Sequence, residues 1–228
     1  SQIQFYSPGI LGVQEARPNQ MDDLEAALSD YKYIGHGRDG GKSGEYSAIF
    51  YNATQYSMKE SHTFWLSETP DVLSQGWDAA YPRICTYGLF EDKDTQQKFW
   101  VFNTHLDHMG KQARLNGVAL IISKVNEINT QNFPVVLMGD LNVEPDSELI
   151  TGLSQRMTDS ESIAKISFGP DGTFNGFNYT MDVNRRIDYI FLKSSAANTV
   201  KKYAVLRASK NMKYPSDHFP VYIEVSFE

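Results

Sequence analysis

Several short apolar runs in this chain each hold an acid, an amide or a histidine at one end, and that pattern restricts the architecture more than composition does. Gly9-Ile10-Leu11-Gly12-Val13-Gln14-Glu15, Phe99-Trp100-Val101-Phe102-Asn103-Thr104-His105 and Pro134-Val135-Val136-Leu137-Met138-Gly139-Asp140-Leu141-Asn142 end on theirs. Arg186-Ile187-Asp188-Tyr189-Ile190-Phe191-Leu192 carries its acid near its start, and Ser216-Asp217-His218-Phe219-Pro220 leads into a run over 221–227. β-Branched and aromatic residues between turn formers read as strands. If the Glu15, His105 and Asp140 strands expose their C-terminal ends on one rim, an antiparallel neighbour presents its N-terminal end there. Asp188 and Asp217-His218 enter at that end. The expectation is a single sheet edge bearing Glu15, His105, Asp140, Asn142, Asp188, Asp217 and His218, oxygen ligands and imidazoles suited to a hard divalent cation and a phosphate.

The other strand-like runs are 31–34, 47–51 and 83–90. The clearest helix spans 111–129, where Leu115, Val118, Ile122, Val125 and Ile128 make one apolar stripe. It joins the His105 run to the Asp140 run. Further helices are expected over 20–29 and from Asp146, whose side chain follows Pro145 and can cap. Strands with helices outside them predict an α/β class, two mixed sheets flanked by helices, in one domain over residues 1–228.

Charge narrows the function. A net −7 argues against a protein built to grip duplex nucleic acid, whose affinity comes from Lys and Arg neutralising phosphates. Lys201, Lys202, Arg207, Lys210 and Lys213 read as a solvated loop or a substrate-phosphate contact. The single cysteine, Cys85, excludes an internal disulfide and reads as a small buried strand residue. No apolar run reaches the roughly 20 residues of a membrane span, no obligate protein partner is evident, and a monomer is expected. The chain opens at Ser1 with no signal segment read in it, so no compartment follows.

His36-Gly37-Arg38-Asp39-Gly40-Gly41-Lys42-Ser43 nearly matches a nucleotide phosphate loop, but His36 takes the first glycine position and a strand follows where a helix is required. A hairpin tip is expected instead. Carboxylates with no Cys cluster and no His-x-x-x-His favour Mg²⁺ or Mn²⁺ over zinc. Aromatic residues Phe64, Trp65, Tyr81 and 174–179 could stack a base or cover a small organic group, or pack beneath loops.

Val13-Gln14-Glu15-Ala16, Asn103-Thr104-His105-Leu106-Asp107, Met138-Gly139-Asp140-Leu141-Asn142, Arg186-Ile187-Asp188-Tyr189-Ile190 and Ser216-Asp217-His218-Phe219-Pro220-Val221 resemble, in order, the motifs of the endonuclease/exonuclease/phosphatase superfamily. The resemblance covers nearly the whole chain. It implies a four-layer, DNase I-like α/β sandwich and metal-dependent phosphoester hydrolysis, with phosphodiesters ahead of monoesters. It makes Glu15 a metal ligand, Asp140 and Asn142 the water-orienting and phosphate-binding pair, Asp188 the partner of the catalytic His218, and His105 a phosphate contact. Asp217 lies beside the metal or the histidine. The loops Gly37-Arg38-Asp39-Gly40, Gly44-Glu45-Tyr46-Ser47 and Thr63-Phe64-Trp65-Leu66-Ser67 resemble those of deadenylase-like members. Arg38, Glu45, Arg83 and Asn175 are then the candidate substrate-binding residues, with Arg38 and Arg83 read as phosphate or structural cations. Superfamily members begin with a strand whose Asn helps hold the metal, and no counterpart is read before Glu15. Expected substrates are a small phosphoester or a single-stranded nucleic acid end; the competing readings are a weakly catalytic phosphate-binding module and a DNase-like nuclease.

Overall fold

In the computed structural model, which describes residues 2–193 and 198–227, backbone contacts divide the chain after Leu141. The first unit begins with α1 (Gln2–Tyr6), β1 (Ile10–Ala16), α2 (Pro18–Ala27), β2 (Tyr31–Ile34) and β3 (Tyr46–Asn52). β3 is buried throughout because it is central, antiparallel to β1 on one side and β2 on the other. Then follow β4 (Tyr56–Trp65), β5 (Ile84–Asp92), β6 (Lys98–His105), α3 (Lys111–Ile128) and β7 (Val135–Asp140). β4, β5 and β6 form an antiparallel series, while β6 and β7 run parallel, joined by the crossover helix that parallel neighbours need.

The layers follow from which faces are apolar. Pro18 starts α2, its fixed φ suiting the first helical turn. Met21, Leu24 and Leu28 pack with Ala16, Tyr46, Ala48 and Phe50, covering one face of β1, β3 and β2. The other face meets the second sheet closely: a Cβ on Gly12 of β1 would lie 2.7 Å from Met138 Cε of β7. α3 buries Ala113, Val118, Ile121, Ile122 and Val125, and Gly117 brings it against Leu66 and Leu106. Helix, sheet, sheet, helix is the expected four-layer order.

The second unit holds α4 (Glu148–Ser154), β8 (Thr158–Asp159), β9 (Ser167–Phe168), β10 (Asp188–Lys193), β11 (Asn198–Val205) and β12 (Val221–Phe227). β10 pairs antiparallel with β8, and β11 lies between antiparallel β12 and parallel β9. Val183, Tyr203, Val205, Tyr214 and Phe219 form a core.

Some expectations need correcting. α4 is capped by Ser147, whose hydroxyl accepts from the Ile150 amide at 3.3 Å, so the cap lies one residue beyond Asp146. Lys201 and Lys202 belong to β11 rather than a loop, with Lys202 paired to Glu224 of the adjacent strand at 2.9 Å. β4 extends well upstream of the Thr63 motif because its exposed polar half carries little apolar signal. Phe64 lies in the core, which removes it from the candidate stacking surface. The phosphate-loop lookalike is a hairpin tip: Arg38 N–H donates to the Glu45 carbonyl, Ser43 N–H donates to the Gly40 carbonyl, and the chain enters β3. Among the described residues no helix is long and apolar enough to cross a membrane.

Candidate active site

The first unit brings Glu15, His105 and Asp140 together. His105 and Asp140 are register partners at the C-terminal ends of parallel β6 and β7. That pairing requires Gly139: its φ is +144°, and a Cβ would stand 1.9 Å from the Thr104 carbonyl. Glu15 has φ +59°, unusual for a residue with a side chain, at a register shift between Val13 and Ala16 where β1 bulges against β3. The bulge re-aims its carboxylate out of the pleat. The His105 ring, only 7% exposed, lies between the acids, with Nδ1 3.7 Å from Glu15 Oε1 and Nε2 3.4 Å from Asp140 Oδ2.

A residue that sequence reading missed fixes this geometry. Asn103, fully buried on β6, donates from Nδ2 to the Val13 and Ala48 carbonyls at 3.0 and 2.8 Å, and its Oδ1 accepts from Gln14 Nε2 at 2.6 Å. It thereby ties β6 to β1 and β3 next to Glu15. Its one sequence signal is an amide within an apolar run.

A cleft beside these groups is lined by Glu15, His105, Arg38, Glu45, Tyr46, Ser47, Arg83 and Ile84. Arg38 pairs with Glu45 at 2.7 Å, and its guanidinium carbon lies 5.0 Å from the centre of the Tyr81 ring. Arg83 is buried and pairs with Asp107 at 3.3 Å, its NH2 group 3.2 Å from His108 Nδ1. Burial pushes the Arg83 guanidinium below its usual pKa, and Asp107 opposes that shift. Burial alone would raise Asp107, but the amides of Gly110, Ala80 and Met109 together with Arg83 outweigh it and hold the carboxyl far below the usual range. Arg83 is therefore anchored from beneath the cleft.

Within the second unit lie Asp188, Asn142, Asp217, His218 and Asn175. His218 Nδ1 lies 2.8 Å from Asp188 Oδ2, as expected for a histidine held by a carboxylate. The segment Thr173-Phe174-Asn175 holds both. Thr173, fully buried, accepts on its hydroxyl from the amides of Ile187 and Asp188 and on its carbonyl from Phe219 N–H. The Phe174 ring meets the His218 ring edge-on at 5.1 Å. Asn175 is fully buried: Nδ2 donates to the Ser216 carbonyl, Oδ1 accepts from Phe177 N–H, and its own N–H donates to the Asp217 carbonyl. Its side chain thus braces the Asp217-His218 turn from within. Asn142 is half-buried with φ +52°, a second left-handed candidate residue. Nearby, Arg186 bridges Asp159 and Glu161 and lies over the Tyr189 ring.

With this geometry in place, comparison with known proteins is informative. The sequence profile of the Endonuclease/Exonuclease/phosphatase family matches residues 1–218, so the chain belongs to that family, whose members are hydrolytic phosphoesterases with a DNase I-like fold. It is 40% identical to a mannosyl-6-phosphatase of Bacteroides thetaiotaomicron, covering 99% of this chain and 88% of that one with a TM-score of 0.93. The catalytic domain of human Nocturnin superposes with a TM-score of 0.77 over 100% of this chain and 84% of that one at 19% identity, a likeness of fold. An uncharacterized protein of Acanthamoeba polyphaga mimivirus is 29% identical over 62% of this chain, and the match spans 56% of that curated relative's length.

Proposed function

We propose that this chain is a divalent-metal-dependent hydrolase of small phosphoesters, acting as one catalytic domain, and that its favoured substrate is a phosphomonoester of a sugar. The observation that carries hydrolysis is the His218–Asp188 pair at 2.8 Å, a histidine whose tautomer is set by a carboxylate. Support for the sugar comes from the 40% identical relative named as a mannosyl-6-phosphatase, which moves the reading from diester to monoester.

Glu15 and Asp140 offer hard carboxylate oxygens, with Asp217 as a further candidate, and this donor set fits Mg²⁺ or Mn²⁺ better than a softer metal. Such an ion would neutralise charge on the phosphoryl oxygens. His105, with one ring nitrogen toward Glu15 and the other toward Asp140, helps to set where the two carboxylates stand, and a nitrogen released from either acid could donate to a phosphate oxygen. Asp140 and Asn142 orient the attacking water, and His218 donates to a phosphate oxygen as charge develops there. Water adds to phosphorus, the P–O bond to the leaving group breaks, and the water's proton passes to the leaving oxygen through the site or solvent.

Initial rates with Mg²⁺ on a hexose 6-phosphate, a short single-stranded oligonucleotide and duplex DNA, at matched phosphate concentration and low salt, test this reading. The hexose phosphate is expected to be fastest; a duplex faster by tenfold, about 1.4 kcal/mol in the barrier, would replace it with a DNase-like nuclease.

A further inference from the structure

Three aromatic residues follow the buried Thr173, and two of them pack against the protein. The Phe174 ring meets the His218 ring at 5.1 Å, and the Tyr179 ring lies 5.3 Å from that of Tyr214 against a core. Phe177 is instead 63% exposed. Its backbone is as unusual as its exposure. Residues 175–178 form a turn closed by the Asn178 N–H to Asn175 carbonyl bond at 2.9 Å, with φ +56° at Gly176 and +60° at Phe177. Positive φ at both central residues is the type I′ arrangement, whose second central position is ordinarily glycine. A side chain there crowds the backbone, and a large apolar one facing solvent has no burial to offset the strain.

The same combination recurs just before His218. Residues 210–213 are closed by the Lys213 N–H to Lys210 carbonyl bond at 3.0 Å, with φ +52° at Asn211 and +58° at Met212, and Met212 is 67% exposed. The two turns are joined to each other and to the histidine. Tyr179 and Tyr214 each follow their exposed tip by two residues, and Tyr214 also meets the Phe219 ring edge-on at 4.9 Å. The N–H groups of Asn175 and Gly176 donate to the Asp217 carbonyl at 2.7 and 3.1 Å, and Asn175 Oδ1 accepts from Phe177 N–H at 2.8 Å. Phe177 is thereby fixed to the turn that carries His218. Folding stability gives no reason for either tip, since glycine would relieve both positions. Two large apolar side chains kept where backbone and solvent both disfavour them, on turns tied to the histidine proposed for catalysis, point to a ligand that covers them.

We propose that Phe177 and Met212 are specificity-determining residues that hold the carbon face of the leaving alcohol beside His218. The inference rests on the phosphomonoester-hydrolase reading above and deepens it by naming what selects the alcohol. An aromatic face receives the C–H face of a sugar ring and leaves its hydroxyls in water, while a thioether chain adapts to the ring edge. An ethyl group presents too little carbon surface to gain as much from either.

The test compares kcat/KM for a hexose 6-phosphate with kcat/KM for ethyl phosphate in the parental chain and in Phe177→Gly and Met212→Gly. The hexose-to-ethyl ratio is expected to fall about tenfold in Phe177→Gly and in the same direction in Met212→Gly, the scale of losing one apolar contact to a substrate. The melting temperature of each variant is expected to hold or rise, because glycine accepts the positive φ. A lowered melting temperature with equal losses on both esters would mark a merely structural role and overturn the proposal, as would an unchanged ratio. Saturation-transfer NMR with the hexose 6-phosphate in EDTA needs no turnover, and its signal is expected to weaken in Phe177→Gly. A parental chain that hydrolyses neither ester but binds hexose 6-phosphate in a Phe177-dependent way would overturn the hydrolase reading and keep the subsite. A nucleoside monophosphate whose preference over ethyl phosphate depends on Phe177, when the hexose's does not, would overturn the sugar as the group these tips receive.

Discussion

The second unit's histidine depends on a carboxylate 30 residues away in sequence, and both are held by a third segment. His218→Ala is expected to lower turnover by about 10²-fold or more with near-unchanged circular dichroism, and Asp188→Asn to lower it as well by releasing the ring's tautomer. A variant rate near the parental one would remove His218 from the mechanism. Asp107 gives a separate signature. Its folded pKa lies below its unfolded value, so it contributes stability above roughly pH 4, and that contribution is lost as pH falls from there toward the depressed folded value. Asp107→Asn is expected to flatten the decline of melting temperature below about pH 4; an unaltered slope would deny the carboxylate that role. The Asp188–His218 pair was legible in the sequence because each residue sits at a strand entrance with a marked neighbour. Asn103 and Thr173 were not, since their function is to satisfy backbone groups on strands whose proximity no local pattern reveals.

At the scale of elements, the rim of parallel strands was readable and its fine structure was not. Apolar runs located β6, β7 and the helix between them, and the polar residues ending those runs located His105 and Asp140. The bulge that turns Glu15 outward left no local mark, because φ +59° at a glutamate is imposed by the strand pairing around it. β4 escaped notice along its exposed half, and β11 was hidden by the adjacent Lys201 and Lys202, both exposed where the register of the strand shifts. Gly139 connects element to chemistry. Gly139→Ala would place a methyl group against the Thr104 carbonyl at a φ hostile to side chains, parting β6 from β7 where His105 and Asp140 are partners. A loss of about 2 kcal/mol or more in urea unfolding is expected, with turnover falling further than stability alone explains. A fully stable, fully active Gly139→Ala chain would show that this pairing does not hold the site.

For the whole molecule, charge bears on what the family leaves open. A net −7 leaves little general attraction for long polyanions, and both guanidiniums of the cleft are matched by carboxylates, Arg38 by Glu45 and Arg83 by Asp107. Family and fold class followed from the order of the motifs along the chain, whereas the alcohol to be released is written in loop geometry that spacing does not encode. On the proposed mechanism, hydrolysis depends on a divalent cation held by Glu15 and Asp140. The most direct measurement is the initial rate of phosphate release, on whichever ester of the substrate panel is fastest, with Mg²⁺, after EDTA and after Mg²⁺ is restored, for the parental chain and for Glu15→Gln/Asp140→Asn. The expected result is release that chelation abolishes and Mg²⁺ restores, reduced at least 10²-fold in the double variant; release untouched by EDTA, or a double variant that turns over like its parent, would contradict it.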